Sequence, residues 1–299
     1  MLHSPVSATE KRARLRARLA AGPILALPGA FNPLSAMLIE RHGFAGVYLS
    51  GAVLAADLGL PDIGLTTLSE VAARSAQVAR VTGLATIVDA DTGFGEPMNV
   101  ARTVQLLEDA GVAGLHLEDQ VNPKRCGHLD GKQVVELDGA LRRINAAVSA
   151  RRDANFLVIA RTDARAVEGL DAAMERARAY VDAGADAVFP EALLDEREFA
   201  AMRAAVSVPI LANMTEFGKG PSLSVAQLGE LGVDIVIFPV SLLRLAMGAA
   251  DRALELLGRE GTLNAMLGEM QSRSELYELL DYESFTAFDR SVFDFKVGP

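Results

Sequence analysis

The chain has 299 residues, of which 50% are hydrophobic and 23% charged, and this composition excludes a wholly disordered protein. The formal net charge of −10 argues against nucleic-acid binding, because contact with phosphate backbones requires a basic surface. A single cysteine, Cys126, excludes an internal disulfide framework and a multi-cysteine zinc site, and it favours a reducing, cytoplasmic compartment.

The N-terminal segment predicts a basic amphipathic lead-in helix over residues 8–20, with a solvated charged face. We expect no signal peptide, because no basic leader precedes an apolar segment. The longest stretch without charge, residues 21–39, contains Pro23, Pro28 and Pro33. These prolines favour a strand, a turn and a helix start, and we expect no membrane span.

Eight short apolar segments are predicted to form strands. Each has apolar residues at nearly every position, which is typical of a strand buried on both faces in a parallel sheet. The predicted strands cover residues 24–28, 46–50, 86–89, 114–118, 157–161, 187–190, 210–213 and 235–239.

Helical patterns separate these strands, among them residues 67–81, 99–110 and 170–183. Eight strand–helix units predict one (β/α)₈ barrel domain; the alternative, a doubly wound sheet, usually has fewer strands. A helical extension over residues 262–299 follows, with a further helix at 262–280. Its apolar residues need a surface to pack on, and a neighbouring subunit would supply one.

Polar side chains follow nearly every predicted strand, where barrel enzymes carry their active sites. Asp89, Asp91 and Glu118 place three carboxylates at neighbouring strand ends. Such a group is costly without a cation, and all-oxygen ligands favour Mg²⁺ or Mn²⁺. In the alternative interpretation, these acids cap helices or pair with arginines.

Cys126 lies in a long polar loop between Gln120 and Lys132. Its neighbours Lys124, Arg125 and His128 would favour the thiolate, and glycines in the loop suit a lid. A lone cysteine can instead be a small buried hydrophobic residue.

Three arginines are candidates for binding substrate carboxylates through paired hydrogen bonds, namely Arg161, Arg244 and Arg273. Each could instead form a surface ion pair.

Motifs from residue 48 to residue 273 resemble the isocitrate lyase and phosphoenolpyruvate mutase superfamily, and most closely its 2-methylisocitrate lyase branch. The sequence Lys-Arg-Cys-Gly-His at 124–128 is similar to the signature of the lyases. The other matching segments are 48–51, 59–62, 88–95, 114–120, 160–164, 189–192, 213–218 and 270–273.

This resemblance implies cleavage of 2-methylisocitrate to pyruvate and succinate. It implies that Asp89 and Asp91 hold Mg²⁺ with Glu118 in support, that Tyr48 accepts the hydroxyl proton, and that Cys126 protonates the succinate carbanion with His128 beside it. It also implies a homotetramer that exchanges the C-terminal helix. The implied substrate contacts are Ser50, Gly51, Ala52, Cys126, Gly127, Arg161, Glu191, Asn213, Thr215, Arg244 and Arg273, with Ala52 standing where many relatives have glycine.

Other functions compete with this hypothesis. A related lyase could act on 2,3-dimethylmalate or isocitrate, although the absence of tryptophan favours room for the methyl group near Phe189. Phosphonate chemistry is disfavoured by the cysteine motif. A non-catalytic barrel is the remote alternative.

Overall fold

A computed structural model describes residues 4–294 apart from residues 128 and 130. Helices and strands alternate along most of the chain, and none of the described helices is long and apolar enough to cross a lipid bilayer. In chain order, the elements are α1 (Ala8–Ala21), β1 (Leu25–Pro28), α2 (Pro33–Arg41), β2 (Gly46–Leu49), α3 (Gly51–Asp57), α4 (Leu68–Val81), β3 (Ala85–Asp89), α5 (Pro97–Asp109), β4 (Gly114–Glu118), α6 (Leu137–Ala150), β5 (Leu157–Thr162), α7 (Ala164–Val167), α8 (Leu170–Asp182), β6 (Ala187–Pro190), α9 (Glu196–Ala205), β7 (Leu211–Asn213), α10 (Val225–Glu230), β8 (Ile235–Phe238), α11 (Ser241–Glu260), a 3₁₀ helix (Asn264–Glu269), α12 (Arg273–Leu279) and α13 (Tyr282–Phe293).

The eight strands predicted from the sequence are confirmed, and each boundary lies within one residue of its prediction. All ladders between them are parallel. Nearly every strand residue is buried, because helices cover the outer face and side chains from the other strands fill the interior.

The strands form two parallel sheets, β1-β8-β7 and β2-β3-β4-β5-β6. The sheets meet at two seams, where pairing consists of single bridges: Gly29 with Tyr48, and Val188 with Ile210. The first strand pairs with the last, as in a (β/α)₈ barrel and unlike a doubly wound sheet. The carboxyl ends of all eight strands therefore meet at one end of the molecule.

Alternate residues of the strands fill the interior. Leu27, Ile87, Ile159 and Ile237 belong to one buried cluster, together with Phe189. Residues at the intervening positions, such as Val88 and Val236, pack outward against the helices in two further clusters. This alternation leaves the strand ends as the place where polar side chains can meet.

The lead-in helix α1 is present, but the expectation of a solvated charged face is wrong for its inner side. Lys11, Arg12 and Leu15 are buried. Leu15 packs into the interior cluster at the amino ends of the strands, and Arg12 donates to the carbonyls of Glu108 (2.7 Å) and Val112 (2.9 Å). These carbonyls lie at the end of α5 and in the loop that follows it, so the arginine joins α1 to this turn.

The single helix expected over residues 262–280 is also wrong. This segment forms a 3₁₀ helix, an extended residue at Met270 and then α12, and a further helix, α13, follows. The break arises because Ser272 and Glu275 form a capping box that starts a new helix. No residue of α11, α12 or α13 is buried.

Candidate active site

The carboxyl ends of six strands surround a cavity of about 80 Å³. Most of the predicted site residues line this cavity together, although they lie far apart in the sequence. Those lining it are Tyr48, Ser50, Ala52, Asp89, Cys126, Gly127, Arg161, Glu191, Asn213, Thr215 and Arg244.

A larger cleft of about 670 Å³ lies on the outer side of Asp91, beside the amino ends of α4 and α5. Its lining includes Arg102 and Asn122, but neither Cys126 nor Arg161. We place the candidate active site in the smaller cavity, because the chemically reactive groups converge there.

Two carboxylates face each other at the end of β3. A Cβ atom added to Gly51 would lie 3.0 Å from Oδ2 of Asp89 and 3.3 Å from Oδ1 of Asp91, so glycine lets α3 begin between them. The Gly51 amide donates to Asp89 (3.2 Å), as does the Asp91 amide (3.0 Å). Asp91 has a left-handed backbone with φ of 46°, which is a strained conformation found often at functional sites.

Two buried cations pair with the acids of this site. The pairing of Glu118 with an arginine agrees with part of the alternative interpretation, in which these acids pair with arginines. The ammonium of Lys124 contacts Asp62 and lies 2.8 Å from Asp91, while Nη1 of Arg161 lies 3.3 Å from Glu118. Lys124 therefore lies in the acidic cluster. The side chain of Arg125 is exposed, and the expectation that these cations favour the thiolate stays a prediction.

The site is nevertheless acidic. Burial raises the pKa of Glu118 well above its usual range, and burial and the neighbouring Asp89 raise that of Asp91 to about 6. Burial also acts to raise the pKa of Asp89, but nearby positive charges, including Lys124 and Arg161, lower it to about 2. Four cations face six carboxylates at or next to the cavity, namely Lys124, Lys132, Arg161 and Arg244 against Asp62, Asp89, Asp91, Glu118, Asp163 and Glu191.

These residues fit a divalent cation with oxygen ligands. Within the described residues, no three Asp, Glu, His or Cys side chains are close enough to chelate a metal by themselves. Mg²⁺ does not need such a cage, because it usually binds through one or two carboxylates and keeps several waters. Asp89 and Asp91 would supply the carboxylates, and both oxygens of Glu118 are buried without a hydrogen bond from the described residues.

His116 is a site residue that the sequence reasoning missed. It is fully buried on β4, and its Nε2 lies 2.7 Å from the hydroxyl of Tyr48 and 3.7 Å from Oδ1 of Asp89. Its ring stacks on Tyr48 and meets Phe189 edge-on. The available signal was position, since His116 lies two residues before Glu118 and points to the same face of the strand.

Burial keeps both members of this pair neutral. It raises the pKa of Tyr48 well above its usual range and lowers that of His116 to about 4. At neutral pH, the phenol therefore holds its proton and the imidazole is uncharged.

Arg161 is held rigidly at the end of β5. Its guanidinium donates to both carboxylate oxygens of Asp163 (3.0 and 3.1 Å) and lies over the ring of Phe189, 5.1 Å from its centroid. The side chains of Asn213 and Glu191 are also joined, by a 3.3 Å hydrogen bond. A planar cation fixed in this way suits bidentate binding of a substrate carboxylate.

The cysteine loop covers the cavity. A Cβ atom added to Gly127 would lie 2.5 Å from both Nη2 of Arg161 and Oε1 of Glu191, so only glycine permits this approach. Cys126 lines the cavity from this loop. His128, predicted to assist it, lies outside the described residues.

The remaining arginines differ in position. Arg244 lies in the first turns of α11 near the cavity. It donates to Thr215 (3.2 Å) and to the carbonyl of Glu216 (2.6 Å), and it pairs with the Glu216 carboxylate at 3.0 Å. Arg273 is exposed at the start of α12 and is not among the residues that line the cavity. Its role as a substrate contact stays a prediction.

Comparison with known proteins places these features in a family. A family model described as phosphoenolpyruvate phosphomutase matches residues 15–257. A curated relative from Corynebacterium glutamicum named "Probable 2-methylisocitrate lyase 2" is 60% identical over 296 residues, which are 99% of this chain and 96% of the relative.

Solved structures agree with this match. A 2,3-dimethylmalate lyase, described as a member of the PEP mutase/isocitrate lyase superfamily, is 35% identical with a TM-score of 0.89, covering 99% of this chain and 100% of the other. A phosphonopyruvate hydrolase in complex with oxalate and Mg²⁺ is 32% identical with a TM-score of 0.85, covering 94% and 98%.

Proposed function

The chain belongs to the phosphoenolpyruvate phosphomutase family, and we propose that it is an Mg²⁺-dependent carbon–carbon lyase that cleaves 2-methylisocitrate to pyruvate and succinate. The observation that carries this proposal is the meeting of Cys126 with Tyr48, Asp89 and Arg161 around one cavity. Retro-aldol cleavage needs a site for the hydroxyl proton, a proton donor for the new carbanion, and positive charge for the carboxylates. These residues supply all three.

Asp89 and Asp91, with Glu118 in support, would hold the metal. A bound Mg²⁺, with Mn²⁺ as the alternative, would act as a Lewis acid on the substrate hydroxyl and its neighbouring carboxylate. The excess of carboxylates over cations around the cavity supports this assignment, because added positive charge relieves their repulsion.

Tyr48 would receive the proton that leaves the substrate hydroxyl. Burial holds the phenol proton in the ligand-free site, so Tyr48 can accept the hydroxyl proton only by passing its own proton to a neighbour. His116 Nε2, 2.7 Å from the phenol oxygen, would take that proton, and the hydrogen bond between them would hold Tyr48 in place.

Cys126 would protonate the carbanion that becomes succinate. The contact of Gly127 with Arg161 brings this part of the loop over the cavity, where cleavage would take place. Loop coverage would also exclude water from the carbanion.

The substrate assignment has a specific competitor in 2,3-dimethylmalate, the substrate named for a solved relative with a TM-score of 0.89. Both substrates carry a methyl group, which the side of the cavity near Phe189 could accept. 2-Methylisocitrate has one more carboxylate. Arg244, which lines the cavity, would bind it, together with the backbone of Ser50 and Ala52. We therefore favour the tricarboxylate.

We expect this activity to belong to propionate breakdown by the methylcitrate cycle, in the reducing cytoplasm that suits an essential thiol. We also propose a homotetramer in which the C-terminal helices are exchanged between subunits. Helices α11, α12 and α13, which have no buried residue, support such an exchange.

The decisive assay incubates purified protein with 2-methylisocitrate, isocitrate or 2,3-dimethylmalate and measures pyruvate and succinate. We expect release of both products from 2-methylisocitrate, and loss of activity when EDTA removes the metal. One methyl group is worth about 1–3 kcal/mol of discrimination, so minor activity on isocitrate is consistent with the proposal. Full activity in excess chelator would contradict the proposed metal dependence. Faster cleavage of 2,3-dimethylmalate than of 2-methylisocitrate would make 2,3-dimethylmalate the substrate.

A further inference from the structure

A buried lysine lies beneath the cysteine loop and has no part in the chemistry proposed above. The side chain of Lys132 is 2% exposed. Its ammonium donates to the carbonyl of Gly127 and to Oδ1 of Asp163, the latter over 2.7 Å. A buried ammonium is costly unless fixed partners compensate its desolvation, so this arrangement needs an explanation.

The carboxylate that Lys132 contacts is the same one that holds Arg161. Asp163 accepts from Nε and Nη2 of Arg161, and its backbone amide donates to Oδ1 of Asp119 (2.9 Å). Asp163 is fully buried, and these hydrogen bonds hold both its side chain and its backbone. One rigid carboxylate therefore connects the loop lysine to the arginine at the cavity.

Other hydrogen bonds hold the two ends of the loop. Gln120 exchanges two hydrogen bonds of 2.9 Å with the backbone of Arg125, and it also forms a bridge with Val134. Between these ends, the ammonium of Lys132 joins the Gly127 carbonyl to Asp163, which follows β5.

We propose that Lys132 is a positioning residue, which fixes the backbone of Cys126 and Gly127 relative to Arg161 through Asp163. This inference rests on the proposed function, because it assigns the importance of that geometry to proton delivery by Cys126. The Gly127 backbone lies at closest approach to Arg161 and Glu191, so a small displacement changes where the thiol lies. A misplacement of about 1 Å can cost about 10²-fold in rate.

The test compares Lys132→Met, which keeps the length of the side chain, with Lys132→Arg, which keeps its charge and donors. Arg142→Met is the control, because it removes a cation from an exposed side chain on the neighbouring helix α6. Two quantities are measured for each: the rate at which iodoacetamide alkylates Cys126 without substrate, and kcat and KM for 2-methylisocitrate.

We expect Lys132→Met to be alkylated about tenfold faster, because the loop opens more often. Its kcat should fall by about 10²-fold, with a much smaller change in KM. Lys132→Arg should have an alkylation rate and a kcat between those of Lys132→Met and wild type, and Arg142→Met should match the wild type. If Lys132→Met does not fold, Lys132→Arg should itself show faster alkylation and a lower kcat than wild type.

A lower melting temperature with wild-type alkylation and wild-type kcat would make Lys132 purely structural and overturn the inference. Equal alkylation of the methionine and arginine variants would also overturn it. If wild-type protein does not cleave 2-methylisocitrate while Lys132→Met still exposes Cys126, the proposed function fails and the positioning of the loop stands.

Discussion

Buried neighbours set the charge of each side chain at the mouth of the barrel. Asp163 is the clearest case, because burial alone would raise its pKa, yet Arg161 and Lys132 lower it to about 2. An aspartate with a usual pKa of 3.8 thus binds its proton more weakly in the folded chain than in the unfolded one. Its ionisation stabilises the fold at neutral pH.

Replacement of Asp163 by Asn should show this as a pH-dependent loss of stability. The shift predicts a loss of ~2 kcal/mol in the free energy of unfolding at pH 7. The difference from wild type should be constant above pH 5 and shrink as pH falls from about 4 towards 2, because the aspartate becomes protonated in both states. Urea unfolding at several pH values measures it.

Asp138→Asn is the matched control, because Asp138 is 75% exposed and pairs with Arg142 one helical turn away. It should have a much smaller effect. A deficit of Asp163→Asn that does not change between pH 7 and pH 3 would contradict the assignment.

Replacement of Cys126 by Ser should abolish turnover while sparing binding. A serine hydroxyl is a far weaker acid than a thiol, so proton delivery to the carbanion should fail. Acid–base groups contribute about 10²–10⁴-fold, and kcat should fall at least within that range. Pyruvate release gives kcat and calorimetry gives the dissociation constant of the substrate; more than about a tenth of wild-type kcat would exclude the assigned role.

At the residue scale, the sequence predicted which residues lie at the strand ends, but it predicted their side-chain contacts less well. Strand ends fix the positions of Asp89, Arg161 and Glu191, because each follows a recognisable apolar segment. The contacts of Lys124 could not be predicted, since they depend on Asp62, which lies in a distant loop. His116 was missed because a histidine inside a strand resembles a core residue until its partner is known.

At the scale of elements, the amino-terminal helix is the part whose role the sequence concealed. Its pattern of four arginines and a lysine indicates a solvated face. The spacing of these charges does not show that carbonyls in another part of the chain accept hydrogen bonds from one of them. Arg12 binds such carbonyls and also pairs with Asp153 at 3.2 Å. A buried, multiply bonded guanidinium of this kind contributes to stability.

Arg12→Met should therefore destabilise the fold by about 3 kcal/mol, because it leaves buried acceptors and Asp153 without their donor. Arg14→Met, two residues along the same helix, is the control: Arg14 is 59% exposed and pairs with Glu10. Its unfolding midpoint in urea should stay close to that of wild type. Equal midpoints for the two variants would contradict the buried role of Arg12.

The carboxyl-terminal segment shows a different limit of sequence patterns. The pattern of residues 262–280 predicts one helix. The helix is interrupted because Ser272 caps the start of a new one. Its capping box with Glu275 was a signal in the sequence. Apolar periodicity alone does not show where such a cap interrupts a helix.

At the scale of the whole molecule, the carboxyl-terminal helices expose large apolar side chains. The 20 residues of α11 include Leu245, Met247, Leu254 and Leu257, all exposed, and none of the helix is buried. Exposed large apolar side chains grouped in this way are typical of protein–protein contacts. The exchange of helices between copies of the chain would cover it.

Light scattering should then give the mass of four chains of 31.7 kDa for wild type. The double change Leu254→Glu and Leu257→Glu should shift the protein to smaller species, because it places charge in the subunit contact. Val167→Glu, at a residue that is exposed outside this segment, should leave the mass unchanged. A stable wild-type monomer at micromolar concentration would contradict the assembly.

The two seams in the strand layer have a consequence for ligand binding. Arg161 belongs to the five-stranded sheet and Asn213 to the three-stranded one, and each seam between the sheets has a single bridge, at which the amide of Ala30 or Val188 donates across the seam. A substrate held by Arg161 and Asn213 would therefore bridge the two sheets across the weakest parts of the wall. Its binding energy would stabilise the pairing between the two sheets. The protection of these two amides against hydrogen exchange would therefore increase as more of the sites are occupied.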